Sequence, residues 1–302
     1  MELRRLGRSD LQIAPLMLGG NVFGWTIDEA TSFAILDAFV DAGFNAIDTA
    51  NSYSRWVSGH RGGESETIIG NWLKRSGKRD KVVIATKVGE DMGQNPGHGR
   101  SLKRADILRE CEASLRRLQT DRIDLYQTHW DDDVTPPEET LRAYAELMAV
   151  GKVRAVGASN VTPERFKASL EASRRLGIPR YECLQPSYNL ADRKGFERDF
   201  ESLCMQEQIG VITYYSLAGG FLTGKYRSAT DAAKSAARGG KVKGYLDARG
   251  LRILKSLDEV AAAHSATPAQ ISLAWLMARK TVTAPIVSAT SVTQLGEILK
   301  SP

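Results

Sequence analysis

The chain of 302 residues is 42% hydrophobic and 25% charged, a globular balance with ample length for a large buried core. The net charge of +5 is a mild basic excess, or in a sharper reading a field that draws in anionic cofactors or substrates. No basic run is interleaved with aromatics, which argues against nucleic-acid binding, and Cys111, Cys183 and Cys204 show no CxxC spacing, which argues against a disulfide framework or metal site and for a reducing compartment.

The N-terminus, Met1-Glu2-Leu3-Arg4-Arg5, carries no apolar signal segment, and no apolar stretch approaches transmembrane length. The expectation is a cytoplasmic protein without a membrane partner. The first 15 residues form two short halves around Gly7-Arg8-Ser9-Asp10, the pattern of a hairpin, placed to plug the bottom of a barrel. Short apolar runs then recur eight times, at Leu16–Gly19, Ala46–Thr49, Val82–Thr86, Leu125–Tyr126 with its extension to His129, Val153–Ser159, Cys183–Ser187, Val211–Tyr215 and Pro285–Ser288. They are largely non-alternating, as parallel strands buried on both faces are.

Helical segments lie between them. Thr26-Ile27-Asp28-Glu29 reads as a capping box before Ala34, Leu36, Phe39 and Val40, with Gly43 as the stop. Thr135-Pro136-Pro137-Glu138 repeats the box before Leu141, Tyr144, Leu147 and Met148, with Gly151 as the stop. Leu108, Cys111, Leu115 and Leu118 recur at helical spacing, which places Cys111 in the core. Thr162-Pro163 and Thr267-Pro268 each set a capping hydroxyl before a proline at the first helical position. Tyr226 to Gly250 is a long polar stretch of the functional or mobile kind. Eight strand-then-helix units predict an α/β fold, a (β/α)₈ TIM barrel with an N-terminal β-hairpin, over residues 1–302 as one domain. An open doubly wound sheet would carry a glycine-rich fingerprint after its first strand, and none is present.

In such a barrel the C-terminal strand ends form the active face. Asp48, Lys87 and His129 close the second, third and fourth strands, and Tyr53 follows Asp48 on the adjoining loop. Tyrosine alone is a poor proton donor or acceptor at neutral pH, and an ammonium beside it favours the phenolate. Lys87 supplies that charge in this reading, Asp48 holds Lys87, and His129 orients a substrate carbonyl. The set suits protonation of an oxygen on which charge builds, as in carbonyl reduction by hydride, and the hydride must come from a cofactor. Singly, each residue has a plainer reading: a cap for Asp48, a core histidine for His129, a solvated strand end or the Schiff-base lysine of a barrel aldolase for Lys87. Trp56 and Trp130 follow the cluster closely, as pocket walls or as packing.

The chain resembles the aldo-keto reductase superfamily along essentially its whole length. The resemblance rests on Gly43-Phe44-Asn45-Ala46-Ile47-Asp48-Thr49-Ala50 with Tyr53, Ala85-Thr86-Lys87, Asp124-Leu125-Tyr126-Gln127-Thr128-His129, Val156-Gly157-Ala158-Ser159-Asn160, Gln185-Pro186-Ser187-Tyr188-Asn189 and the segment Tyr215 to Tyr226. The last segment is similar to the bacterial and potassium-channel-β-subunit-like branch. The resemblance implies NADP(H)-dependent reduction of aldehydes and ketones, with Tyr53 as general acid and Asp48, Lys87 and His129 completing a tetrad. NAD(H) remains an alternative cofactor, and a redox-sensing regulatory module of little turnover remains an alternative function. The resemblance also implies nicotinamide contacts from Ser159, Asn160 and Gln185, a stacked ring from Tyr215, and a pyrophosphate loop of Ser216, Leu217, Gly219 and Lys225. Gly20 and Asn21 join the cofactor set. Ser288, Thr290 and Gln294 fall on the adenosine-phosphate site, where many relatives carry Lys or Arg. Many relatives also continue past the point matching Pro302 with a tail that shapes the substrate pocket.

Overall fold

The computed structural model describes residues 1–93, 99–233 and 239–301. Strands β1 (Arg4–Arg5) and β2 (Gln12–Ile13) pair antiparallel ahead of the barrel. Eight parallel strands follow: β3 (Met17–Gly19), β4 (Ala46–Asp48), β5 (Val83–Val88), β6 (Ile123–Thr128), β7 (Val153–Ser159), β8 (Tyr181–Gln185), β9 (Gly210–Thr213) and β10 (Val282–Val287). They close in sequence order, with β10 returning to β3.

The non-alternating apolar pattern has a direct cause: both faces of these strands are packed. Residues such as Ile47, Ile84, Tyr126 and Val156 face the surrounding helices. The alternate positions Met17, Ala46, Ala85, Leu125, Ala155, Cys183 and Ala284 fill the barrel interior. Further along the strands, two residues on for Asp48, Lys87, Gln127 and Gln185 and four on for Ser159, the same inward face turns polar, and all five are buried. The barrel is thus apolar below and polar at its C-terminal end.

The hairpin closes the opposite end. Leu6, Leu11 and Ile13 join the interior cluster. Gly7, at φ +60°, lets the turn lie so close to β8 that a Cβ there would sit 2.2 Å from the Glu182 carbonyl oxygen.

Helix starts separate into two that match the sequence pattern and two that do not. Thr162 accepts from the Arg165 amide at 3.2 Å, and Thr267 forms a full capping box with Gln270. At the first helix the cap is Asp28, whose Oδ1 accepts from Thr31 N at 2.8 Å, and not Thr26. The backbone amide of Thr26 is already turned back onto the Val22 carbonyl at 3.1 Å, inside a preceding turn. Thr135 likewise caps nothing: its hydroxyl donates to Asp132 Oδ2 at 2.5 Å, and the helix starts at Pro137 without a side-chain cap. β8 stops at Gln185 because Pro186 has no amide to donate, and β9 stops at Thr213, ahead of the left-handed Tyr215. The Tyr226 to Gly250 stretch contains the short helices Ala229–Ala233 and Gly239–Lys243 and the start of Ala248–Ala263. Residues 234–238 of that stretch and Pro302 lie outside the described residues.

Candidate active site

A cleft of about 1150 Å³ opens over the C-terminal ends of the strands. Its floor is built by strand ends and its walls by the loops that follow them. Asp48 ends β4, Lys87 is the fifth residue of β5, and His129 follows β6, its amide continuing the ladder to Val88 O at 2.7 Å. The loop that carries Tyr53 is tied down on both sides. Thr49 Oγ1 and Ser65 Oγ are 2.8 Å apart, Asn51 donates to Glu110 at 3.2 Å, and Ser54, at φ +71°, donates to Phe23 O at 2.9 Å.

These anchors bring the four residues together. Lys87 Nζ donates to Asp48 Oδ2 at 2.6 Å and to Thr49 O at 2.8 Å, and lies 2.9 Å from the Tyr53 hydroxyl. The Tyr53 hydroxyl in turn donates to Asp48 Oδ2 at 3.1 Å. The His129 ring meets the Tyr53 ring edge-on at 5.9 Å between centroids. Lys87 is 0% exposed, below Tyr53, with its ammonium committed to acceptors. That geometry argues against a Schiff base on Lys87, which would need an accessible amine.

The acid–base balance differs from the sequence expectation. Burial, and then the charge and hydrogen bond of Asp48, push the Tyr53 phenol well above its ordinary range. Lys87 was expected to draw it down. Burial instead lowers Lys87 itself, against the opposing effect of Asp48. Tyr53 therefore holds its proton throughout the neutral range, as a group that gives up a proton only on demand must. His129 is pushed well below the usual histidine range, first by burial and then by Lys87 and Arg100. Its imidazole is neutral, with Nδ1 3.4 Å from Ser52 Oγ.

This has a thermodynamic consequence. The unfolded chain takes up a proton on His129 near pH 6.5 that the folded protein refuses. Below that pH the unfolded state binds more protons, so stability should fall by up to about 1.4 kcal/mol per pH unit from this group. Urea unfolding of wild type and His129→Gln between pH 7 and pH 5 checks it: the variant should lose less stability on acidification, and equal slopes would contradict a neutral buried imidazole.

The other sequence-predicted residues mostly reach the same cleft. Asn21, Ser159, Asn160, Gln185, Tyr215, Ser216, Leu217, Gly219, Lys225, Ser288, Thr290 and Gln294 all line it, as do Trp56 and Trp130. Gly20 does not: a Cβ there would point behind the floor, 2.9 Å from Ser65 Oγ. Asn160, at φ +45°, donates to His129 O at 2.8 Å and to Ser159 Oγ at 3.1 Å, which locks β7's end to β6's. Gln185 donates to Asp48 Oδ1 at 2.9 Å. Trp56 is 53% exposed and packs edge-on against Trp25 at 5.3 Å, and Trp130 lies under the Arg100 guanidinium at 4.1 Å.

Beyond β9 the backbone coils tightly. Tyr215, Ala218, Gly219 and Gly220 all have positive φ, and two of the four are not glycine. Strain held at Tyr215 and Ala218 is of the kind found at functional loops. Gly219 leaves open space where a side chain would stand. Ser288 donates to Asn21 Oδ1 at 2.6 Å, and Gln294 folds back to accept from the Thr290 amide at 2.8 Å.

Several lining residues escape sequence reasoning. Gly19 has a legible signal, a glycine at a strand's C-terminal end: its Cβ would strike Ser288 Oγ at 2.7 Å, so the floor requires glycine. Tyr214, which donates to Asn160 Oδ1 at 3.0 Å, neighbours the predicted Tyr215. Lys241 has no local signal; the short helix Gly239–Lys243 brings it back over the cleft, where it donates to the Tyr215 hydroxyl. Glu90 and Arg55 stand at the mouth, and burial raises the Glu90 carboxyl. Among the described residues no group of three or more His, Cys, Asp or Glu could hold a metal ion, and no helix is long and apolar enough to cross a membrane.

Comparison with known proteins gives one consistent result. A model described as the aldo/keto reductase family matches residues 15–301. "Uncharacterized oxidoreductase YrpG" of Bacillus subtilis (strain 168) is 35% identical, across 100% of this chain and 91% of its own length. "Aldo-keto reductase AMT2" of Alternaria alternata is 33% identical, across 98% of this chain and 86% of its own length. "L-glyceraldehyde 3-phosphate reductase" of Escherichia coli (strain K12) is 33% identical, with the same 98% and 86% coverage.

Proposed function

The chain belongs to the aldo/keto reductase family, whose members typically bind NAD(P)(H), and from that premise we propose that it reduces aldehydes and ketones to alcohols with NADP(H), Tyr53 being the general acid. One observation carries the reading: the Tyr53 hydroxyl stands at the cleft floor, 3.1 Å from Asp48 and 2.9 Å from Lys87, with the neutral His129 ring beside it.

The cleft fits such a cofactor by its donor set. Lys225 and Lys241 offer positive charge beside the open backbone at Gly219, suited to a pyrophosphate. Ser159, Asn160 and Gln185 offer amide and hydroxyl groups suited to a carboxamide, and Tyr215 an aromatic face. Ser288, Thr290 and Gln294 would meet the adenosine end through neutral groups. Bound there, the nicotinamide supplies the hydride.

Tyr53 then supplies the proton. Its raised pKa keeps the proton in place until negative charge builds on a nearby oxygen. Lys87, buried in contact with the phenol, stabilises the phenolate left behind, and Asp48 keeps Lys87 in position. His129 donates a ring N–H to the carbonyl oxygen and sets its orientation, with no charge of its own to neutralise. Trp25, Trp56 and Trp130 give the substrate apolar walls. The printed name of the Escherichia coli relative supports an aldehyde as substrate class. The Tyr215 to Tyr226 segment supports the bacterial and channel-β-subunit-like branch. Buried free Cys111, Cys183 and Cys204 support a reducing, cytoplasmic setting, with residues 1–302 working as one domain on a small-molecule carbonyl.

Loss of absorbance of NADPH and of NADH, followed with a set of aromatic aldehydes and ketones, tests the reading. NADPH should be consumed with the higher kcat/KM. Equal or better use of NADH overturns the cofactor assignment. Tight cofactor retention with negligible turnover across the set would instead point to a redox-sensing regulatory module.

A further inference from the structure

We propose that Gln127, which does not line the cleft, is a positioning residue for the proton donor, acting through Gln185 on the Asp48 carboxylate; the inference rests on Tyr53 being that donor. Asp48 serves two sets of partners with its two oxygens. Oδ2 accepts from Lys87 at 2.6 Å and from Tyr53 at 3.1 Å. Oδ1 accepts from Gln185 Nε2 at 2.9 Å, with Gln127 Nε2 further off at 3.5 Å. A carboxylate turns about its Cβ–Cγ bond, so whatever fixes Oδ1 also fixes Oδ2. Gln185 is the stronger of the two holds on Oδ1.

Gln127 decides which way Gln185 points. Its Oε1 lies 3.4 Å from Gln185 Nε2. The Gln185 nitrogen thereby has an acceptor on both sides, Asp48 Oδ1 and Gln127 Oε1. Flipped, the Gln185 amide would set its own oxygen against a carboxylate and a carbonyl. Asp48 Oδ1, Gln185 and Gln127 thus form a closed triangle of buried polar groups, in which each amide's orientation follows from the other's.

The fold makes room for this arrangement. Gln127 is fully buried on the inward face of β6, one step below His129. Facing it on β7 is Gly157, where a Cβ would come 3.2 Å from Gln127 Cγ and 3.0 Å from Cys183 Cβ. A buried amide without partners is costly, and among the described residues this side chain's hydrogen-bond partners are Asp48 and Gln185. Tyr53 is faced by Asp48 and Lys87 from β4 and β5, His129 from the end of β6, and Tyr214 and Tyr215 from the loop after β9. Lys87 is in turn approached by Glu66 from the helix Glu64–Ser76 and by Cys183 from β8. Gln127 is uncharged, so replacing it changes the geometry of this set without changing its charge.

The test is Gln127→Met, with Gln127→Asn as a second variant that keeps the site polar but withdraws the amide by one methylene. In ligand-free crystal structures of the variants, the Asp48 carboxylate should turn so that Oδ2 is no longer shared between Lys87 and Tyr53. In steady-state assays kcat should fall about tenfold, and any rise in KM for the cofactor, felt through Gln185, should be smaller than that fall. In alcohol oxidation, where Tyr53 must first release its proton, the alkaline rise in rate should move to lower pH. A turned carboxylate no longer holds the phenol's proton, and Lys87 is left less neutralised beside it. An Asp48 that keeps its position in both variants overturns the proposal, whatever the activity. So does an unmoved pH limb with unchanged kcat in a wild type that turns over normally. A wild type without turnover would refute the reductase reading instead, and the crystal comparison would still decide whether Gln127 positions Asp48.

Discussion

Tyr53→Phe should lower kcat for carbonyl reduction by about 10³-fold while leaving cofactor affinity within about twofold of wild type. The substitution removes one oxygen and keeps the ring that packs against His129 and Trp56. Asp48 retains Lys87 on Oδ2 and Gln185 on Oδ1, so the pair beneath the phenol keeps its geometry. The groups proposed to hold the cofactor lie elsewhere along the cleft, at the ends of β7 and β8 and in the loops after β9 and β10. Fluorescence titration gives the affinity and single-turnover absorbance gives the chemical step. Full activity in the phenylalanine variant would remove Tyr53 from the mechanism and leave water or His129 as the proton source.

Lys87→Met should be the most damaging single change to stability, a loss of about 3–5 kcal/mol. Lys87 is 0% exposed and Asp48 1%, so the carboxylate would be left buried without its counter-ion, and Thr49 O would lose a donor. The ion pair need not be strongly stabilising in itself, since desolvation of both groups opposes their attraction. The penalty comes from breaking it on one side. Urea denaturation of Lys87→Met, Asp48→Asn and the double variant separates the two effects. The double variant should recover much of the loss, because a neutral amide beside methionine leaves no buried charge. Strict additivity of the two single losses would mean that the groups are not coupled in the folded protein.

The barrel was legible because its strands are eight short apolar runs separated by helical segments, and because the glycine-rich fingerprint of an open doubly wound sheet is missing. Strand ends were off by one or two residues where backbone chemistry decides them, as at Pro186 and at the left-handed Tyr215. Capping hydroxyls were read correctly where proline fixes the first helical turn, at Thr162 and Thr267. They were misread at Thr26, where the cap is Asp28 and the Thr26 amide belongs to a preceding turn, and at Thr135, whose hydroxyl donates to Asp132. The convergence of Asp48, Lys87 and His129 follows from strand ends, and Tyr53 joins them through a loop held by Thr49, Asn51 and Ser54. The sign of the Tyr53 perturbation did not follow, because a sequence names neighbours but not depth: the lysine was foreseen, and the stronger influence of burial and of Asp48 was not. Lys241 was out of reach for a different reason, since nothing local marks a residue that the chain brings back from 26 positions beyond Tyr215.

The hairpin of β1 and β2 covers the base of the barrel, opposite the cleft. Leu6, Leu11 and Ile13 stopper its base, and the layer above them is apolar. The side chains of that column, Met17, Ala46 and Leu125 among them, are buried and apolar and offer water no hydrogen-bond partner below Asp48, Lys87 and Gln127. If Tyr53 is the proton donor, its proton would be restored from the cleft side, through the same space that a substrate would enter. Proton return and ligand exchange would then share one passage, the cleft over the strand ends.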